Sequence, residues 1–141
     1  MVDVVDANLI SAALCTKAFV RACNERGMMG VIVNMASVAA REGSLDPLYG
    51  ATKAGLIGLT RSTALVVGER IRVNCVAPGL VTTPIMAKVP PARLAQIRGA
   101  ELVKAPILPA DVADTVSFLL SPAARHYTGA VFDLNNGCHF A

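Results

Sequence analysis

The chain has 141 residues, 54% of them hydrophobic and 16% charged, with a net charge of +3. That length suits one domain rather than two, and the apolar content excludes a disordered chain. Basic and acidic residues are interspersed without the stripe of a nucleic-acid binder, and no apolar run reaches membrane-spanning length.

The N-terminal Met1-Val2-Asp3-Val4-Val5-Asp6 is acidic and lacks the pattern of a signal peptide. Residues 3–26 then carry Leu9, Ala12, Ala13, Cys15, Thr16, Phe19, Val20 and Cys23 at helical spacing, with Gly27 and Gly30 as the stop. Val31 to Ala36 is a short apolar run that reads as a buried strand, followed by a loop through Arg41 to Asp46. Asp46 caps and Pro47 opens a helix running to residue 67, which stops at Gly68. Ile71 to Val76 is a second strand, ended by Pro78-Gly79. Residues 83–104 are broken by Pro84, Pro90 and Pro91 into short helices or loops. Asp111 to Leu120 is helical after a start signal at Pro109, and Ala130 to Leu134 is a third strand. Strands alternating with helices indicate right-handed crossovers and a parallel sheet of about three strands, an α/β, Rossmann-like doubly wound arrangement spanning residues 1–141 as one unit.

Four cysteines without Cys-x-x-Cys spacing are expected to be reduced core thiols in a cytoplasmic protein. His126 and His139 stand apart, so no metal site is expected.

Tyr49 and Lys53 carry the chemistry. Residues four apart share one helix face, so an ammonium and a phenol are aimed at the same space. A lone phenol titrates near ~10, and a neighbouring cation lowers that value toward working pH. Ser37 follows the first strand, at the C-terminal end where open parallel sheets bind ligands, and can hold a carbonyl oxygen beside the phenol. The trio suits hydride transfer to or from a carbonyl carbon, with tyrosine handling the proton. The same helix carries Gly50, Ala54 and Gly58, with Ala51 and Gly55 alongside. Each interior glycine costs a helix about 1 kcal/mol. Close approach of another helix, or of a ligand beside Tyr49 and Lys53, offsets that cost, or else plain packing on the sheet does.

Taken together, these motifs resemble the C-terminal portion of a short-chain dehydrogenase/reductase. Asn8 in Asp6-Ala7-Asn8-Leu9 matches the asparagine of that family's catalytic tetrad, Ser37 its serine, and Tyr49 with Lys53 its Tyr-x-x-x-Lys pair. Arg72 through Pro84 matches the strand and loop around the nicotinamide, and Thr128 through Gly137 the final strand, with Asn135-Asn136 where Asp-Gly is more usual. The resemblance implies Tyr49 as general acid and base, Lys53 as its pKa partner and ribose ligand, Ser37 as substrate holder and Asn8 as part of a proton relay. It further implies Pro78, Gly79, Val81 and Thr83 around the nicotinamide of NAD or NADP, a small alcohol or ketone as substrate, and residues 84–104 as its cover through Met86, Val89, Leu94, Ile97 and Leu102.

No Gly-x-x-x-Gly-x-Gly precedes residue 31, so the family's first four strands and its pyrophosphate turn are expected to lie outside this chain. The first strand then has a bare edge, and a marginal or aggregation-prone product is expected from the chain alone. The leading function is NAD(P)-dependent oxidoreduction of an alcohol or carbonyl. The alternative is a non-catalytic remnant acting in subunit association, as a homo-oligomer through the helices at 3–26 and 47–67. Sugar epimerase or dehydratase chemistry shares Tyr-x-x-x-Lys, but the short tail fits the simple reductases better.

Overall fold

A computed structural model describes residues 2–140. Its centre is a parallel sheet of β1 (Gly30–Met35), β2 (Ile71–Pro78) and β3 (Val131–Leu134), in that order across the sheet. β1 and β2 pair from Gly30 with Ile71 to Met35 with Val76, and β2 and β3 from Cys75 with Val131 to Pro78 with Leu134. Pro78, expected to end β2, is its last residue: a proline at the strand end gives up only one ladder donor.

The first helical stretch is continuous but uneven. It runs as α1 (Val2–Val5), a π-helical segment (Asp6–Ile10) and α2 (Ser11–Arg26), closed by Gly27 in the left-handed region at φ 63°. The widened turn carries Asn8. The stretch expected as a loop before Asp46 contains a short helix, α3 (Ala39–Glu42). α4 (Pro47–Val67) begins as its sequence dictates: an Asp46 carboxylate oxygen accepts from Leu48 N at 3.0 Å and Tyr49 N at 3.2 Å. The proline-broken region resolves into a 3₁₀ turn (Pro84–Lys88) and α5 (Pro91–Ala100). α6 (Pro109–Leu120) starts at its proline, where Asp111 Oδ2 accepts from Leu108 N at 2.6 Å.

Alternate side chains of β2 point to opposite faces. Ile71, Val73, Cys75 and Ala77 are buried toward α2 and α4, against Cys23, Ile57, Ala64 and Val67. Val76 faces the other way, against Leu119 of α6 and Ala124, with Val33, Phe132 and Leu134 around them. Helices on both faces make the sheet doubly wound, as expected. The polar groups inside are paired. Asn34 donates to Thr60 Oγ1 at 2.9 Å, and Asn74 donates to Tyr127 O at 2.8 Å while its own oxygen accepts from Ala130 N at 3.1 Å.

The cysteines correct the expectation of core thiols in part: Cys23 and Cys75 are buried, Cys138 is half-buried and Cys15 is exposed. Among the described residues no helix is long and apolar enough to cross a membrane.

Candidate active site

The site lies at the C-terminal edge of the sheet. There the chain leaving β1 keeps bonding to β2: Ala36 N donates to Val76 O and Val38 N to Pro78 O, both at 2.8 Å. Ser37 is thereby held between two fixed residues, and its Oγ accepts from Ala39 N at 3.2 Å at the start of α3. A cavity of about 500 Å³ opens beside it, with Ser37, Tyr49, Gly79 and Leu80 in its wall. The hydroxyl-bearing residues expected to act together thus share one cavity.

Lys53 stands next to Tyr49. Its Nζ lies 5.6 Å from the centre of the Tyr49 ring and donates to Met35 O, the last carbonyl of β1, at 2.9 Å. The bond fixes the ammonium at the strand end while the ring receives part of its field. Burial pushes the Lys53 amine below its ordinary value, and Cys75 nearby works against that shift. The Cys75 thiol is itself pushed up, chiefly by burial, so it stays protonated at neutral pH.

Asn8 reaches the site from the π-helical turn. Its Nδ2 donates to Thr52 Oγ1 at 3.3 Å, and Thr52 Oγ1 donates to Tyr49 O at 2.8 Å. Asn8 therefore braces the first turn of α4 through the buried Thr52, the residue next to Lys53. Gly55 allows this contact: a Cβ there would meet Leu9 Cδ2 at 2.9 Å.

The loop after β2 divides. Pro78 is buried at the end of the strand, and Gly79 packs so tightly on Asn135 that a Cβ would lie 3.0 Å from the Asn135 Cα. Val81 bridges to Ile107, and Thr83 Oγ1 donates to Val81 O at 3.4 Å. Val81 and Thr83 are half-buried and do not line the cavity, whereas Gly79 does.

The opposite wall comes from the proline-broken region. Val89 and Ile97 line the cavity as expected; Met86, Leu94 and Leu102 do not, and Leu102 instead packs over Gly137. Three charged lining residues escaped sequence reasoning: Glu42, Lys88 and Arg93. Arg93 Nη2 meets Glu42 Oε1 at 3.0 Å. They lie 51 residues apart in the chain, and no local pattern announces the pair. Among the described residues no His, Cys, Asp and Glu cluster could hold a metal ion.

A model of the enoyl-(acyl carrier protein) reductase family matches residues 1–139. The (3R)-3-hydroxyacyl-CoA dehydrogenase of Canis lupus familiaris is 37% identical over 138 residues, covering 96% of this chain and 53% of that protein. A solved 4-hydroxyisoleucine dehydrogenase complexed with NADH and succinate superposes with a TM-score of 0.87 at 30% identity, over 95% of this chain and 56% of that one. A short-chain type dehydrogenase/reductase from Mycobacterium ulcerans gives 0.88 at 29% identity, over 95% and 50%. The chain spans about half the length of these relatives.

Proposed function

Because this chain belongs to the short-chain dehydrogenase/reductase family, we propose that it carries the proton-handling half of an NAD(P)-dependent oxidoreductase acting on a hydroxyl or carbonyl group. The observation that carries this reading is the single cavity walled by Ser37 and Tyr49, with the Lys53 ammonium 5.6 Å from the tyrosine ring. A bound nicotinamide would supply or accept the hydride. Tyr49 gives its phenolic proton to the forming alkoxide in reduction and takes it back in oxidation. Lys53 is held beside the phenol by its bond to Met35 O. Ser37 holds the substrate oxygen at the phenol, and Asn8 fixes the turn that presents Tyr49.

The loop after β2 would border the nicotinamide end of such a cofactor. Gly79 lines the cavity, with Pro78 buried before it at the strand end, and Val81 and Thr83 follow outside the cavity wall. Among the described residues no glycine-rich strand-to-helix turn is available for the pyrophosphate. Tight binding of NAD or NADP therefore needs backbone from outside the described residues. The substrate class follows the relatives, whose names describe a hydroxyacyl thioester and a hydroxy amino acid: a hydroxyl on an acyl or acid chain, or its ketone.

The test is Tyr49→Phe in an assembly that contains this chain and turns over. Loss of about 10²–10⁴ in kcat, with nicotinamide binding kept, is expected; retention of most of the rate refutes the role. A second reading, subunit association without catalysis, is supported by the apolar groove between α2 and α4 and by Leu65 and Val66, which are 86% and 85% exposed on α4. Titration of that same assembly with NADH and NADPH by nicotinamide fluorescence separates the two. Absence of binding at millimolar concentration favours association alone.

A further inference from the structure

We propose that Glu42 and Arg93 form a positioning pair that holds α5 across the cavity, so that this ion pair sets how far the cavity opens. α5 contributes no buried residue of its own. Its C-terminal end is anchored: Leu102 N and Val103 N donate to Asn136 O at 2.8 and 3.1 Å, Asn136 Nδ2 donates to Ala105 O at 2.8 Å, and Lys104 caps the last carbonyls of the helix. At the start of the helix, among the described residues, the hydrogen bond that crosses the cavity is the one from Arg93 Nη2 to Glu42 Oε1.

The guanidinium is pre-aimed. Its Nη1 donates to Gln96 Oε1 at 2.9 Å, one turn along the same helix, which leaves Nη2 directed at Glu42. The two side chains are 30% and 27% exposed, so the pair is screened only in part. Glu42 closes α3, three residues after Ala39, whose N–H donates to Ser37 Oγ. The pair therefore joins the movable wall, with Val89 and Ile97, to the fixed wall that carries Ser37. A helix without buried side chains, anchored at one end, swings on that anchor when its other tie is cut.

Hydrogen exchange on the full chain tests this without cofactor or turnover, so its outcome is separate from the redox reading. Arg93→Ala is expected to speed exchange of the 91–100 amides about two- to fivefold, the range for an exposed ion pair, while β2 amides keep their protection. The charge-swapped double variant Glu42→Arg with Arg93→Glu is expected to restore protection in 91–100. Molar salt is expected to narrow the difference between parent and Arg93→Ala. If Arg93→Ala loses protection in β2 as well, Glu42→Gln, which removes the charge and keeps the shape, gives the same reading. Unchanged exchange in 91–100 on removing either charge, or a double variant as fast as the singles, overturns the proposal.

Discussion

Lys53 shows how one side chain answers to three demands. Its burial disfavours the charge, Cys75 nearby favours it, and its hydrogen bond to Met35 O requires a donor. Burial wins, and the amine is held below its ordinary value of 10.5. The folded state therefore binds fewer protons than the unfolded state between the lowered value and 10.5. Lys53 therefore contributes a rise in unfolding free energy with pH through that window, because the desolvation cost of the cation is relieved as it deprotonates, while the raised Cys75 and Cys138 thiols contribute a fall above 9.0. Denaturant titrations at about pH 8 and about pH 10 measure this, and Lys53→Met is expected to remove that part of the rise. At this scale the sequence was informative. Spacing alone put Tyr49 and Lys53 side by side, and the helix geometry made it so. Asn8 was legible as a residue of interest, but its partner was not: the contact with Thr52 spans 44 residues and needs the π-helical turn.

Among the elements, α4 carries the most consequence. Its glycines looked alike in sequence and differ in space. Gly55 faces Leu9, and Gly50 faces Ser44 and Ala39, so a neighbour does occupy part of the stripe. Gly58 has nothing within 4 Å of a built Cβ, and its flexibility serves no contact. Gly58→Ala is expected to stabilise the chain by about 0.5–1 kcal/mol through helix propensity. Gly55→Val is expected to destabilise it, because the added methyls must displace Leu9 and with it the turn that carries Asn8. Paired thermal melts decide both signs. The helix boundaries themselves were readable from local chemistry: Asp46 and Pro47 at one end and Gly68 at the other. The segment at 83–104 was not, because three prolines forbid a long helix without saying which short pieces form or where they pack.

The sheet has two edge strands, β1 and β3. Among the described residues β1 pairs only with β2, so its other edge carries unpaired backbone groups. Met35 is 38% exposed on that strand, and Phe118 and Leu120 of α6 are 39% and 52% exposed. Such an edge invites another strand, from a second copy or from more of the same fold. The isolated chain is expected to associate in a concentration-dependent way, and Met35→Lys to shift it toward the monomer by placing a charge at the edge. Sedimentation at several concentrations tests this; a parent chain that stays monomeric throughout contradicts it.

The order of strands and helices, the capped start of α4, and the Tyr49–Lys53 adjacency follow from local signals: period, caps, and residues a turn apart. Such signals act over a few residues and survive in a single sequence. Folding alone decided that Gly79 would join the cavity while Val81 and Thr83 stay out of its wall, and that Asn8 would reach Tyr49 through Thr52. It also decided that Glu42 would meet Arg93 across the opening. Those outcomes depend on how separate elements pack, and packing is a sum over contacts distant in the chain, which no short window of residues encodes.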